Sequence, residues 1–117
     1  MTNHSGDTFS KLQARISAFC IERDWSQFHD PKNLAISLQL EAAEVLELFQ
    51  WTTDNQVNQK KLAQIPDELA DVLYWTLMLS NHYGIDLVEA LERKMDKNEQ
   101  KYPIEKAKGV STKYTEL

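Results

Sequence analysis

The sequence predicts an all-α fold, and three observations carry that prediction. Only three glycines and three prolines occur in 117 residues, well below the roughly 12% usual for the two together, whereas an all-β chain places such residues at every hairpin. Hydrophobic residues make up 42% of the chain and charged residues 26%, which is enough apolar material for a core and argues against wholesale disorder. Long stretches repeat their apolar residues at helical spacing. The length fits one domain over residues 1–117, with residues 1–7 and about 104–117 expected to be flexible.

The first helix is expected to start near Asp7 or Thr8, either of which can cap it, and to run to about Arg23. Phe9, Leu12, Ile16 and Phe19 form its apolar stripe. The aromatic segment from Asp24 to Pro31 reads as a structured loop. Asn33 is the expected N-cap of a second helix, Leu34 to about Trp51, which lacks glycine and proline. A polar segment from Thr52 to Lys61 follows, in which Thr53 or Asp54 can start a short helix. Pro66 suits the first position of a third helix, with Asp67 and Glu68 favourable in its first turn. That helix should end near Tyr83, where Gly84 can supply a left-handed cap. Asp86 is the expected cap of a fourth helix, Leu87 to about Lys101, amphipathic through Leu87, Leu91 and Met95 and closed by Pro103. The tail from Ile104 to Leu117 is polar, and either moves freely or folds over a site.

Charge and cysteine content narrow the function. Thirteen Lys and Arg against 18 Asp and Glu leave a net charge of −5. A protein that binds nucleic acid by neutralising phosphates shows the opposite balance, so no stable nucleic-acid partner is expected. A single cysteine, Cys20, cannot form an intrachain disulfide or a cysteine-based zinc site, which fits a reduced cytoplasmic setting. Neither a signal-peptide pattern nor an apolar run of membrane-spanning length is present, so no membrane role is expected.

Two acidic pairs stand out. Glu41 with Glu44 on the second helix, and Glu68 with Asp71 on the third, are each spaced i, i+3 and so project from one helix face. Spacing alone is weak, because random placement of 18 acids in this length gives about three such pairs. Context is stronger. Glu41 and Glu44 share a sector with Leu34, Val45 and Leu48, opposite Gln39 and Gln50, which turns them inward. Asp71 is the only charge between Leu69 and Leu79, and it shares a stripe with Glu68, Trp75 and Met78. Burying carboxylates without compensation costs several kcal/mol each or drives them neutral. No matching set of inward cations is apparent on these helices, and a divalent cation resolves the conflict. An all-oxygen donor set without an accompanying i, i+3 histidine favours Mg²⁺, with Mn²⁺ as the alternative. Protein-held Mg²⁺ commonly completes its shell with water and phosphate oxygens, which points to phosphate-ester or phosphoanhydride chemistry.

The substrate's other half calls for aromatic and basic groups. Trp25, Trp51 and Trp75 are the only tryptophans, and any of them can stack on a base, with Phe28 and His29 completing a wall. Lys94, Asn98, Lys101 and Tyr102 form a basic and polar strip at the end of the fourth helix, suited to phosphate oxygens. His4 and His82 lack the partners of a nucleophilic triad, and Cys20 sits among core-type residues, so covalent catalysis is disfavoured.

Glu41-Ala42-Ala43-Glu44 followed by Glu68-Leu69-Ala70-Asp71 resembles the ExxE…ExxD signature of the MazG-like all-α nucleoside triphosphate pyrophosphohydrolases. The segments Glu22 to His29, Glu47 to Trp51, Lys94 to Asn98, Lys101 to Pro103 and Lys113 to Thr115 resemble the dCTP pyrophosphatase branch. The resemblance runs from about residue 10 to the C-terminus, and the segment between helices two and three has a bacterial-type length. It implies a four-helix bundle-like subunit, assembly as a homotetramer (a dimer of dimers) with sites between subunits, and Mg²⁺-dependent cleavage of a nucleotide substrate between its α and β phosphates. The products are the monophosphate and pyrophosphate, as in the cleaning of a nucleotide pool.

Matched position by position, Glu41, Glu44, Glu68 and Asp71 correspond to the metal ligands. Trp25 and Trp51 correspond to aromatic positions of the base pocket, and Lys94 and Asn98 to its phosphate end. Two positions depart from the pattern: Ile16 stands where mammalian members have a base-pocket histidine, and Trp75 where they have a tyrosine. Base preference therefore stays open, with dUTP-like or phosphoribosyl-ATP-like substrates as rival readings. A non-catalytic helical interaction module is the rival from a different class.

Overall fold

The computed structural model describes residues 4–52 and 59–117, with side chains described for residues 8–52 and 60–117. Its elements are α1 (His4–Glu22), α2 (Pro31–Glu47), α3 (Ile65–Tyr83), α4 (Leu87–Lys101) and α5 (Ile104–Ala107). Three short 3₁₀ turns accompany them, at Ser26–Phe28, Gln59–Gln64 and Tyr114–Glu116. No strand occurs among the described residues, so the all-α expectation holds. The elements fall into two compact units, residues 1–85 and 86–117.

In the first unit, α3 packs against both α1 and α2. Each of these helices sends one residue to the centre of the core: Cys20, Leu34 and Met78, all buried, with Ile16, Tyr74, Trp75 and Leu79 packed around them. Leu34 is 1% exposed. Polar bonds tie α1 to α3. Gln13 Nε2 donates to Ser80 Oγ at 3.0 Å, and Asn81 Nδ2 donates to Ser17 Oγ at 3.3 Å. Ser80 is buried and hands its own proton to the carbonyl of Leu77 at 2.8 Å, so its hydroxyl is satisfied in both directions. Ile36, Leu40, Leu46, Leu69 and Leu73 nevertheless stay exposed. This is a large apolar surface for a small domain to show to water.

Helix boundaries differ from the sequence expectation in instructive ways. The first helix is already formed at His4, ahead of the expected caps Asp7 and Thr8. A single Gly6 costs a helix only about 1 kcal/mol, so it does not stop the helix from extending upstream. At the other end Asp24 takes a left-handed φ of 55°. Trp25 N–H then bonds the Cys20 carbonyl and Asp24 N–H the Ile21 carbonyl, both at 3.0 Å, the paired bonds of a Schellman ending.

The cap of α2 is Asp30 rather than Asn33. The Asp30 carboxylate accepts from Asn33 N–H at 2.8 Å, and Pro31 occupies the first turn, where its missing N–H is harmless. The Asn33 side chain instead donates to Asp30 Oδ2 and to the Phe28 carbonyl, bracing the aromatic loop. Asp30→Ala is expected to cost about 1 kcal/mol, read as a lower urea midpoint at unchanged m-value.

Helix α2 ends at Glu47, not Trp51. Leu48, Phe49 and Gln50 bond three residues back instead of four, and Trp51 turns left-handed at φ 65°, so the chain leaves the helix axis before Trp51. The short helix expected at Thr53 or Asp54 lies outside the described residues. Pro66 stands second in α3 rather than first, with Asp67 and Glu68 in the opening turn. Gly84 closes α3 at φ 64°, with Ile85 N–H bonded to the Ser80 carbonyl, as the left-handed cap requires.

In the second unit, Asp86 caps α4 by accepting from Val88 and Glu89 N–H. The tail is not wholly irregular, since α5 begins directly after Pro103. The ring of Tyr114 lies edge-on to Tyr102, with centroids 5.9 Å apart, and under the Lys101 ammonium at 4.7 Å. A cation over an aromatic face and a T-shaped ring pair anchor the tail to the end of α4.

Candidate active site

Packing of α2 against α3 brings the two acidic pairs together. Glu41, Glu44, Glu68 and Asp71 each offer an oxygen, and these four atoms lie within 4.8 Å of one another. Glu41 and Glu68 are half-buried, whereas Glu44 and Asp71 are exposed. The inward orientation expected for both acids of each pair thus holds for one of each. A helix row spaced i, i+3 rotates by about 300°, so the second carboxylate falls toward the rim of the helix contact.

Two features mark this cluster as more than surface charge. The Oε2 atoms of Glu41 and Glu68 are buried and have no hydrogen-bond partner, an arrangement that native proteins rarely leave uncompensated. The electrostatics agree. Burial, followed by a proton shared with Glu44 and repulsion from Glu44, Asp71 and Glu68, holds the Glu41 carboxyl above the usual carboxylate range. The Glu68 carboxyl is also raised, first by the proton shared with Glu44 and then by burial and the neighbouring acids. Four acids pressed against one another fit a divalent cation, whose charge reverses each of these penalties. An oxygen-only donor set suits a hard ion such as Mg²⁺ or Mn²⁺. Glu47, one turn further along, is not part of the convergent group.

The aromatic candidates are dispersed. Trp75, one turn beyond Asp71 on α3, is half-buried and meets His29 edge-on at 5.8 Å and Tyr74 at 5.0 Å. Trp25 is 42% exposed and rests edge-on against Phe19 at 5.5 Å. Trp51 is 91% exposed, past the end of α2 and in a left-handed turn. Within the second unit, Asn98 and Lys101 are half-buried and Lys94 and Tyr102 exposed. Tyr102 and Lys101 both hold Tyr114. Ile16, at the departing base-pocket position, packs against the core.

Sequence reasoning left Tyr74 unremarked. Its hydroxyl lies 3.4 Å from Cys20 Sγ, and burial, together with that contact, raises its pKa above the ordinary value. Nor did it mark the His29 Nδ1 atom, which is buried without a partner. A histidine between two acidic or aromatic neighbours carries no sequence signal for burial, because Phe28, His29 and Asp30 lie in a loop without helical or strand period.

Comparison with known proteins places the chain. A family model described as the MazG-like family matches residues 36–117, a span that contains all four acids. The mouse protein dCTP pyrophosphatase 1 is 38% identical over 115 residues, covering 94% of this chain and 68% of that protein. Its human counterpart is 39% identical over the same share of each. Among solved structures, a pyrophosphatase from Archaeoglobus fulgidus DSM 4304 superposes with a TM-score of 0.75 at 39% identity, covering 88% of this chain and 95% of that one. With most of its length matched at this identity, and with the ExxE and ExxD pairs brought into one cluster, the chain belongs to the MazG-like family.

Proposed function

We propose that this nucleoside triphosphate pyrophosphohydrolase acts on dCTP or a closely related deoxynucleotide, cleaving between the α and β phosphates with Mg²⁺ held by Glu41, Glu44, Glu68 and Asp71. The observation that carries this reading is the convergence of the four carboxylates with two buried, unpartnered oxygens. The curated relatives named dCTP pyrophosphatase 1 support the choice of base. A bound Mg²⁺ supplies charge neutralisation at the triphosphate and acidifies a coordinated water.

The residues of this chain do the remaining work by position. Two rigid helices hold the four oxygens together, so little reorganisation is needed when a polyanion docks. Glu44 and Asp71, on the exposed side, face the solvent from which the attacking water comes, and either can accept its proton. Trp75, one turn beyond Asp71 on α3, and the His29 ring in edge-on contact with it form one wall for the sugar and base. Trp25 and Trp51 add further base contacts, and Lys94, Asn98, Lys101 and Tyr102 bind phosphate oxygens.

Exposure of Trp51, and of Ile36, Leu40 and Leu69, supports assembly as a homotetramer in which a neighbouring copy uses these surfaces. A cytoplasmic location belongs to the same reading. No helix among the described residues is long and apolar enough to cross a membrane.

Pyrophosphate release from a panel of canonical and modified deoxynucleoside triphosphates, with and without Mg²⁺, is the direct test. The expected result is one monophosphate and one pyrophosphate per turnover, dCTP among the preferred substrates, and no release in excess EDTA. Absence of release from every triphosphate overturns the proposal and favours a helical interaction module.

A further inference from the structure

On the pyrophosphohydrolase reading above, in which Lys101 binds phosphate oxygens, we infer that Tyr114 is a positioning residue: its ring, brought back to the end of α4 by the C-terminal tail, holds the Lys101 ammonium in place for the triphosphate. Both residues lie in the unit of residues 86–117.

The lysine comes first. Lys101 ends α4 and is half-buried, yet no carboxylate among the described residues pairs with it. Residues 101–117 carry four lysines against two glutamates, so the segment keeps an excess of positive charge. A free lysine side chain samples many rotamers, and ordering them opposes any contact that it makes. Here the ammonium lies 4.7 Å from the centroid of the Tyr114 ring, inside the reach of cation–π attraction.

For an anionic ligand, a ring is a different holder from an acid. A carboxylate would hold the ammonium by cancelling its charge, and a phosphate would have to displace it. An aromatic face attracts the cation through its quadrupole and leaves the full charge and the N–H donors for a second partner. The lysine is therefore ordered before the substrate arrives, which lowers what binding must spend on it.

The ring is itself held. Tyr102 meets it edge-on, with centroids 5.9 Å apart and an interplanar angle of 77°. The chain returns to α4 by defined steps. Helix α5 makes a single turn after Pro103, and Gly109 then takes a φ of 81°, a conformation that glycine adopts without steric cost. Tyr114 opens a 3₁₀ turn in which Glu116 N–H bonds the Lys113 carbonyl at 2.8 Å. The ring, not the hydroxyl, makes both contacts of Tyr114 with the end of α4.

Steady-state kinetics on dCTP test the inference. Tyr114→Leu is expected to raise KM about fivefold with kcat within about twofold, the pattern of a lost contact shared by ground and transition states. Tyr114→Phe, which keeps the ring, is expected to restore KM to within about twofold of the parent. Lys101→Met is expected to raise KM about tenfold, and adding Tyr114→Leu to it to change KM by less than about twofold, because the ring then has no ammonium to place. An equal rise from Tyr114→Leu in both backgrounds gives Tyr114 a merely structural role and overturns the inference. So does a parental KM in Tyr114→Leu or in Lys101→Met, or a Tyr114→Phe as impaired as Tyr114→Leu. Should Tyr114→Leu not fold, Tyr114→Met, which removes the ring but keeps apolar bulk, decides in the same sense. Each of these outcomes leaves pyrophosphate release by the parent standing; its absence with every triphosphate is a separate result, which overturns the underlying reading together with the inference.

Discussion

Glu41→Gln and Asp71→Asn are each expected to lower pyrophosphate release by about 10³-fold, with the helical circular dichroism unchanged. The four oxygens within 4.8 Å act as one unit, and an amide presents a weak neutral oxygen or an N–H donor where a hard cation needs charge. Losing one such electrostatic contact at a reacting phosphate typically removes about 10²–10³ in rate. Loss of the cation itself removes more. The same substitutions are expected to raise, not lower, the thermal midpoint of the metal-free protein. Glu41 is held partly against its will by burial and by Glu44, Asp71 and Glu68, so a neutral side chain relieves repulsion. The combined signature of lost turnover and gained metal-free stability separates a metal ligand from a packing residue, which loses both. Turnover within about tenfold of the parent in either variant would remove that residue from the metal site.

Mg²⁺ is expected to raise the thermal midpoint at pH 7.5 in a saturable, EDTA-reversible way, and to do so much less at pH 5. A ligand that binds only the folded state at 100 times its Kd adds about 2.7 kcal/mol, on the order of 10 °C for a domain of this size. The pH dependence follows from the raised carboxyls of Glu41 and Glu68, whose ordinary value is 4.5. Below that value both folded and unfolded chains hold these protons, and the cluster carries no penalty. As pH rises, the unfolded chain releases its protons first, so the metal-free protein loses stability through this window and bears the full penalty above the folded-state values. Cation binding requires the deprotonated acids, hence the stronger shift at pH 7.5. Other titrating groups cancel when the midpoint of Glu41→Gln is subtracted at each pH. A metal-free difference that is flat across this range, or no Mg²⁺ shift at neutral pH, would contradict the electrostatic account.

Legibility of the site in the sequence was uneven, and particular residues explain why. The ExxE and ExxD spacings are visible because i, i+3 geometry is a local property of any helix. Their convergence is not, since Glu41 and Glu68 are separated by the end of α2, by the polar segment after it and by a 3₁₀ turn. Asp30 as the cap of α2 was readable in hindsight from the proline that follows it, yet Asn33 has equal intrinsic capping preference. Only the bonds to the Asp30 carboxylate and the Phe28 carbonyl decide between them. Trp51 shows the opposite limit. Nothing in Leu48-Phe49-Gln50-Trp51 breaks a helix by propensity, but the chain tightens there and turns left-handed.

By itself the sequence determined the all-α class, the caps at Gly84 and Asp86 and the pairing of acids along two helices. These follow from backbone sterics and helical period, which act over a few residues. The tertiary structure decided which acid of each pair is half-buried, that four of the 18 acids share one cluster, and that His29 meets Trp75, one turn beyond Asp71 on α3, while Trp51 is exposed to solvent. Those outcomes depend on how α3 packs against α1 and α2, a sum of many weak contacts between residues distant in the chain, which no local pattern encodes.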